Sequence, residues 1–325
     1  MNVLITGGAG YIGSHAVKVF LESGHNVTVI DNLSTGYVDS IDSRAKFYKG
    51  DIGNYSFVSN VLKEENIESV IHFAAFSLVG ESMTNPYKYF ENNVSKTNIL
   101  LKAIVDNNVK YLVFSSTAAT YGEPETNYIT EDSPNNPTNV YGETKLSMEK
   151  MINWYHKIHG LNYVALRYFN VAGALHDGSI GEAHNPETHL IPIILQVASK
   201  RREKLSVFGN DYPTFDGTCI RDYIHVVDLC DAHLKALGYL VSGGVSDKFN
   251  LGSGDGFSVL EMINAAKKVT GCDIPYEISE RRAGDPARLV ASSKKARDIL
   301  KWCPKYENIE KMIGDAWTWE KNKRY

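Results

Sequence analysis

Tyr141 and Lys145 stand one helical turn apart in Tyr141-Gly142-Glu143-Thr144-Lys145, so on a helix their side chains share a face. A tyrosine acts as a base near neutrality only if its pKa drops about three units from about 10, which costs roughly 4 kcal/mol. One cation about 4 Å away, at an effective dielectric near 20, supplies on the order of 4 kcal/mol. Lys145 is therefore expected to activate Tyr141. The hydroxyls of Ser115 and Thr117, in Phe114-Ser115-Ser116-Thr117, are candidates to hold a substrate hydroxyl and share its proton. Each element of this set has a bland alternative: the tyrosine–lysine spacing is a common accident, and serine and threonine readily satisfy local backbone groups. Context must decide.

That context begins at the amino-terminal run Gly7-Gly8-Ala9-Gly10-Tyr11-Ile12-Gly13, which follows a short apolar stretch, Asn2 to Thr6, and opens an amphipathic one. Glycines between a strand and a helix let the backbone turn tightly and approach a pyrophosphate, which the helix N-terminus attracts. Asp31, about 20 residues beyond the glycines, ends the next apolar stretch, where an acid accepts hydrogen bonds from an adenosine ribose. A carboxylate there repels the extra phosphate of NADP, and no arginine follows in Asn32-Leu33-Ser34-Thr35-Gly36, so NAD is the expected cofactor. Its positive nicotinamide ring would assist Lys145.

These residues need a sheet whose strand ends point one way. Strands are expected at Asn2 to Thr6, Asn26 to Ile30, Ala45 to Lys49, Ser69 to Phe73, Tyr111 to Ser115 and Tyr163 to Tyr168, rich in Val, Ile, Phe and Tyr. Helices are expected between them at Tyr11 to Glu22, Tyr55 to Glu65, Tyr87 to Asp106 and Val140 to His159. Strict alternation implies an α/β fold with a Rossmann-type doubly wound parallel sheet, and it places Asp51, Phe73-Ala74-Ala75 and Ser115 at the carboxyl edge where such sheets bind ligands. After Asn170 the texture changes, with more Gly, His, Asn and Pro. The expected division is a dinucleotide-binding domain over 1–172 and a smaller C-terminal substrate-binding α/β lobe over 173–325, with 222–241 a candidate for returning to the first domain.

Composition narrows the partners. The chain has 325 residues, 34 basic and 38 acidic, without long runs of either sign, so neither nucleic acid nor a membrane surface is expected as a partner. Cys219, Cys230, Cys272 and Cys303 lie far apart with no paired spacing, so no metal site and no disulfide framework is expected, and a reducing cytoplasm fits. Neither a targeting leader nor an apolar run of roughly 20 residues is visible.

With these residues placed, the chain resembles the extended short-chain dehydrogenase/reductase family, and within it the branch acting on nucleotide sugars. The resemblance runs end to end, through Thr6 to Gly13, His72-Phe73-Ala74-Ala75, Glu91-Asn92-Asn93-Val94, Phe114 to Thr117, Tyr141 to Lys145, Leu166 to Gly173, Asp216-Gly217-Thr218, Arg221 to Val226 and Arg281 to Asp285. It implies that Asp31 and Asn32 hold the adenosine ribose, that Asp51 and Ile52 flank the adenine, and that Phe73, Ala74, Ala75, Asn92 and Tyr168 line the cofactor site, with Lys145 on the nicotinamide ribose. For a UDP-hexose it implies Phe169, Asn170, His189, Leu190, Phe208, Arg221, Tyr223, Arg282 and Asp285, with Leu289 on the wall beside the sugar. Arginine forks suit a diphosphate. Ser77 and His189 depart from relatives that carry a lysine and an asparagine there; backbone N–H groups are expected to replace the lysine.

The implied reaction is inversion of the C4 hydroxyl of a UDP-hexose through a 4-keto sugar. A dehydratase of the same fold would carry an Asp-Glu pair after the catalytic threonine, where this chain has Ala118-Ala119. Epimerisation of UDP-N-acetylhexosamines and chemistry on UDP-glucuronate stay open as alternatives, and a non-catalytic cofactor sensor is the alternative of another class. The family also implies a homodimer, paired through the helices at Tyr87 to Asp106 and Val140 to His159.

Overall fold

The computed structural model describes residues 1–124, 128–282 and 286–325. Six strands alternate with helices through the first half: β1 (Asn2–Thr6), β2 (Asn26–Asp31), β3 (Lys46–Lys49), β4 (Ser69–His72), β5 (Tyr111–Ser115) and β6 (Asn162–Tyr168). All pair in parallel, and with the later strand Asp247–Leu251 they form a seven-stranded sheet in the order Asp247–Leu251, β6, β5, β4, β1, β2, β3. This is the expected Rossmann-type sheet. Side chains alternate between its faces: Val3 and Ile5 pack with Val17 and Phe20 on one side, whereas Leu4 packs with Leu100, Ile104, Met148 and Ile152 on the other. With both faces covered, such strands read as continuous apolar runs.

The order of winding reverses between β1 and β4, the switch point at whose carboxyl edge ligands bind. There Thr6 of β1 lies in register with His72 of β4, which sets the loop that starts at Gly7 beside Phe73 and Ala74.

Local signals fix the helix that carries Tyr141 and Lys145. It spans Val140–His159; the Asn139 side chain accepts from Gly142 N at 2.8 Å to cap its start, and Gly160, in the left-handed conformation, ends it. The expected single helix from Tyr87 to Asp106 is instead divided into Pro86–Tyr89, a wide π-type turn over Phe90–Ser95 and Lys96–Asp106. Asn93 explains the break. Its amide accepts from Phe76 N at 2.9 Å and donates to Phe76 O at 3.0 Å and Thr144 Oγ1 at 3.2 Å, bonds that a regular turn would not aim so. The interruption thereby clamps the Tyr141 helix to the segment after β4.

Beyond β6 the chain builds a second lobe. Helices Leu190–Ala198, Val259–Thr270 and Ile309–Asn322 share a core with the strand Leu205–Phe208, which pairs in parallel with the largely exposed Tyr276–Ser279. A small sheet joins Ile220–Arg221 to Phe257–Ser258 and Arg288–Leu289. Helix Val226–Val241 packs instead into the core of the first lobe, through Leu229, Ala236 and Leu237. The strand Asp247–Leu251, which the division at Gly173 would leave in the second lobe, is an outer strand of the first lobe's sheet.

Candidate active site

The glycine loop forms a cradle. Gly7 adopts φ +76°, and a Cβ on it would lie 2.7 Å from Ala74 N; a Cβ on Gly13 would lie 2.0 Å from Gly7 O. The fold itself requires both glycines. Gly10 differs, since a Cβ there would meet only Gly7 O, at 3.4 Å. It starts the helix Tyr11–Glu22 with no side-chain cap, and no acid sits in the first turn. The leading N–H groups and the positive end of the helix dipole thus carry neither a capping side chain nor a neighbouring acid, which suits a pyrophosphate.

Around this loop, Asp31 Oδ2 accepts from Ala9 N at 3.0 Å and Oδ1 from Leu33 N at 2.8 Å. Burial raises its pKa against those two bonds, and each oxygen keeps a second lone pair for a hydroxyl. Asp51 accepts from Asn32 Nδ2 at 3.1 Å and Lys96 Nζ at 2.8 Å, with Ile52 buried beside it. Lys96 was not foreseen. Tyr11 donates its hydroxyl to Gly173 O at 2.6 Å and so spans the two lobes, while the Cys230 thiol reaches the carbonyl of Ile12. Phe73 lies against His233 of helix Val226–Val241, ring centroids 4.7 Å apart, and Asn92 donates to Asn93 Oδ1 at 3.1 Å within the π-type turn. Ala75 follows Ala74 at the same edge.

At the end of β5 the hydroxyl-bearing residues converge. The Thr117 hydroxyl neighbours the Tyr141 phenol, and a hydrogen bond joins Ser115 Oγ to Tyr168 Oη. Lys145 is buried, and its Nζ donates to the backbone oxygen of Ser115 at 2.8 Å. Burial pushes the Tyr141 phenol up to about 12, with the neighbouring Thr117 hydroxyl pulling the other way. The simple expectation that Lys145 lowers Tyr141 toward neutrality is therefore corrected for the protein alone. The lysine is itself desolvated and pushed down to about 7, so it is only partly charged near neutral pH.

One turn beyond Lys145, Glu149 accepts from Arg167 Nε at 2.9 Å and from the Ser116 hydroxyl, all three groups buried. This ion pair locks the helix to β5 and β6. The sequence reading did not single it out.

Substrate-side candidates come from several elements. Arg221 Nη1 donates to Ile220 O at 2.9 Å and Pro286 O at 2.8 Å, and its strand partner is Leu289. Leu289 and Phe169 pack on Ala118, Tyr121 and Ile129, immediately after Thr117. Asn170 pairs with Tyr223 across the lobe junction and donates to Asp222 O at 3.2 Å. Burial raises the Tyr223 pKa. Arg282 lies over the Phe208 ring at 4.0 Å, and Leu190 begins the helix Leu190–Ala198. His189 turns its Nδ1 onto buried Glu182, a partner the sequence reading did not name. Asp285 lies outside the described residues.

A glycine cradle at the switch point of a doubly wound sheet, with tyrosine, lysine, threonine and serine gathered at the end of β5, defines a dinucleotide-dependent enzyme. The NAD dependent epimerase/dehydratase family matches residues 3–252, and the chain belongs to that family. It is 57% identical to a UDP-glucose 4-epimerase of Lacticaseibacillus casei over 322 residues, covering 99% of this chain and 97% of that protein. A crystal structure of a UDP-glucose 4-epimerase superposes with a TM-score of 0.98 at 55% identity, covering 99% of this chain and 98% of that one. The Brucella ovis UDP-glucose 4-epimerase in complex with NAD gives a TM-score of 0.95 at 44% identity, with 97% of each chain covered.

Proposed function

We propose that the chain interconverts UDP-galactose and UDP-glucose by inverting the hexose C4, with NAD held throughout. The observation that carries this reading is Lys145, buried with its Nζ held on the backbone oxygen of Ser115 at the end of β5, one helical turn from Tyr141. NAD, when bound, supplies the hydride acceptor and donor for C4 and a positive charge that favours ionised phenol.

The cradle from Gly7 through Gly10 to Gly13, with Tyr11 and Ile12, takes the cofactor pyrophosphate. Asp31 and Asn32 take the adenosine ribose, and Asp51 and Ile52 flank the adenine. Phe73, Ala74, Ala75, Asn92 and Tyr168 line the remainder, and Lys145 holds the nicotinamide ribose. Tyr141 removes the C4 hydroxyl proton and returns it to the same oxygen after the sugar has turned; Thr117 and Ser115 position that hydroxyl. Arg221 and Arg282 recognise the diphosphate, with Asn170, Leu190, Phe208, Tyr223 and Asp285 around the nucleotide. Tight contacts to UDP combined with permissive contacts to the hexose allow the sugar to present either face.

Dehydration is disfavoured because Ala118 and Ala119 offer no proton-transfer group where that chemistry needs an acid and a base. The protein works as a homodimer in the cytoplasm, in galactose metabolism. Exposed Tyr87, Trp154 and Ile158, on the two helical segments expected to pair, support the dimer, and free cysteines suit a reducing compartment. Among the described residues no helix is long and apolar enough to cross a membrane.

The reading is tested by incubating purified protein with UDP-galactose, without added cofactor, and separating the nucleotide sugars by chromatography. Formation of UDP-glucose to a constant ratio is expected. Absence of conversion even with NAD supplied contradicts it.

A further inference from the structure

Between Gly181 and the helix Leu190–Ala198, the chain folds Glu182, His184, Glu187 and His189 toward one point. One donor atom from each lies within 4.8 Å of all the others. His184 Nδ1 stands 3.0 Å from Glu182 Oε1 and 3.8 Å from Glu187 Oε1, and His189 Nδ1 is turned on the same Glu182 oxygen. Glu187 Oε1 is held in place by the backbone N–H groups of Thr188 and His189, at 2.8 and 2.9 Å. His184 Nδ1 is buried yet lacks a well-directed hydrogen bond.

Both carboxylate side chains are nearly sealed from water, at 6% and 5% exposure. Two withdrawn carboxylates demand nearby positive charge. Lys323 adds some from further off. The two imidazoles can meet the demand only by each keeping a second proton, whereas one divalent cation meets it with both rings neutral and both Nδ1 atoms free to ligate.

We propose that Glu182, His184, Glu187 and His189 form a closed, four-coordinate site for a divalent cation of the zinc class. Two imidazole nitrogens and two carboxylate oxygens are donors such an ion accepts, at about 2.0–2.2 Å, and a shell filled by protein ligands marks a structural role. Calcium and magnesium prefer six or more oxygen ligands, and half of this donor set is nitrogen. The site's place explains what the ion does. The His184 ring meets the Tyr11 ring edge-on, with centroids 6.4 Å apart, and His189 is the residue from which the helix Leu190–Ala198 starts. A bound cation thus stiffens the segment that leads into the substrate lobe and fixes the His184 ring that meets Tyr11 of the dinucleotide-binding helix.

The test uses protein expressed without a polyhistidine tag and still holding its nucleotide. It is dialysed against a chelator, titrated with Zn2+, and measured by elemental analysis and X-ray absorption at the zinc edge. One zinc per chain is expected, with nitrogen and oxygen donors only and a raised thermal midpoint. A His184→Ala/His189→Ala double variant that retains its nucleotide should lose most of that zinc. Absence of stoichiometric zinc in the wild type, undiminished zinc in the double variant, or sulfur donors in the spectrum overturns the site. If the double variant does not fold, His189→Asn alone must weaken zinc binding roughly tenfold or more; unchanged affinity overturns the proposal equally.

Discussion

Lys145 donates from Nζ to the backbone oxygen of Ser115 at 2.8 Å. This bond orients a buried ammonium that burial alone disfavours, for its pKa falls from 10.5 to about 7. Between those values the unfolded chain binds more protons at this site than the folded one. The sign is then fixed: with NAD removed, stability contributed through Lys145 rises as pH increases from about 7 toward 10.5.

Lys145→Met removes this titration. In NAD-stripped protein the thermal midpoint of wild type minus variant should climb across that window, with the variant the more stable at its lower end. Thermal melts at a series of pH values read the difference. A difference independent of pH contradicts the buried, cofactor-free lysine.

Tyr141→Phe keeps the ring and loses the hydroxyl that neighbours Thr117. Bound NAD should be retained while turnover falls by about a hundredfold or more. Measuring nucleotide released on denaturation alongside the rate separates the two effects, and near-normal turnover removes Tyr141 from proton transfer.

Glu149→Gln leaves the guanidinium of Arg167, 1% exposed, without its carboxylate. A buried charge stripped of its partner destabilises by about 3–5 kcal/mol. Denaturant unfolding should show that loss, and a change within error would mean that water replaces the carboxylate.

Leu289 packs beside Phe169 against Ala118 and Tyr121 and is the strand partner of Arg221, and the proposed function places it beside the sugar. Leu289→Tyr narrows the space next to the sugar and should lower turnover of UDP-N-acetylglucosamine more than that of UDP-glucose. Equal losses on both substrates reject Leu289 as a gate.

Trp154 is 60% exposed and Ile158 69%, one turn apart on the Tyr141 helix. Replacing both with glutamate should convert a dimer into monomers in sedimentation. A wild type that sediments only as monomer contradicts the pairing.

Much of the fold is legible where signals are local. The helices Tyr11–Glu22 and Val140–His159 begin and end where expected because Gly10, Asn139 and Gly160 mark their ends, and β1 and β5 keep their expected bounds because their apolar runs are short and uninterrupted. Features that depend on distant partners are not legible. The π-type turn arises from bonds between Asn93, Phe76 and Thr144, and Asp247–Leu251 joins the sheet only by pairing with β6. In the site, residue types and spacing picked out Tyr141, Lys145, Ser115 and Thr117, but not that burial outweighs the charge of Lys145. A carboxylate two residues before a histidine, at Glu182/His184 and again at Glu187/His189, was visible as spacing.

The most direct test of the central claim uses UDP-galactose carrying deuterium at C4, incubated with the protein in ordinary water and excess unlabelled NAD. Inversion by hydride removal and return within one closed site predicts UDP-glucose with the deuterium still at C4. Loss of the label to solvent or to the added NAD would contradict it.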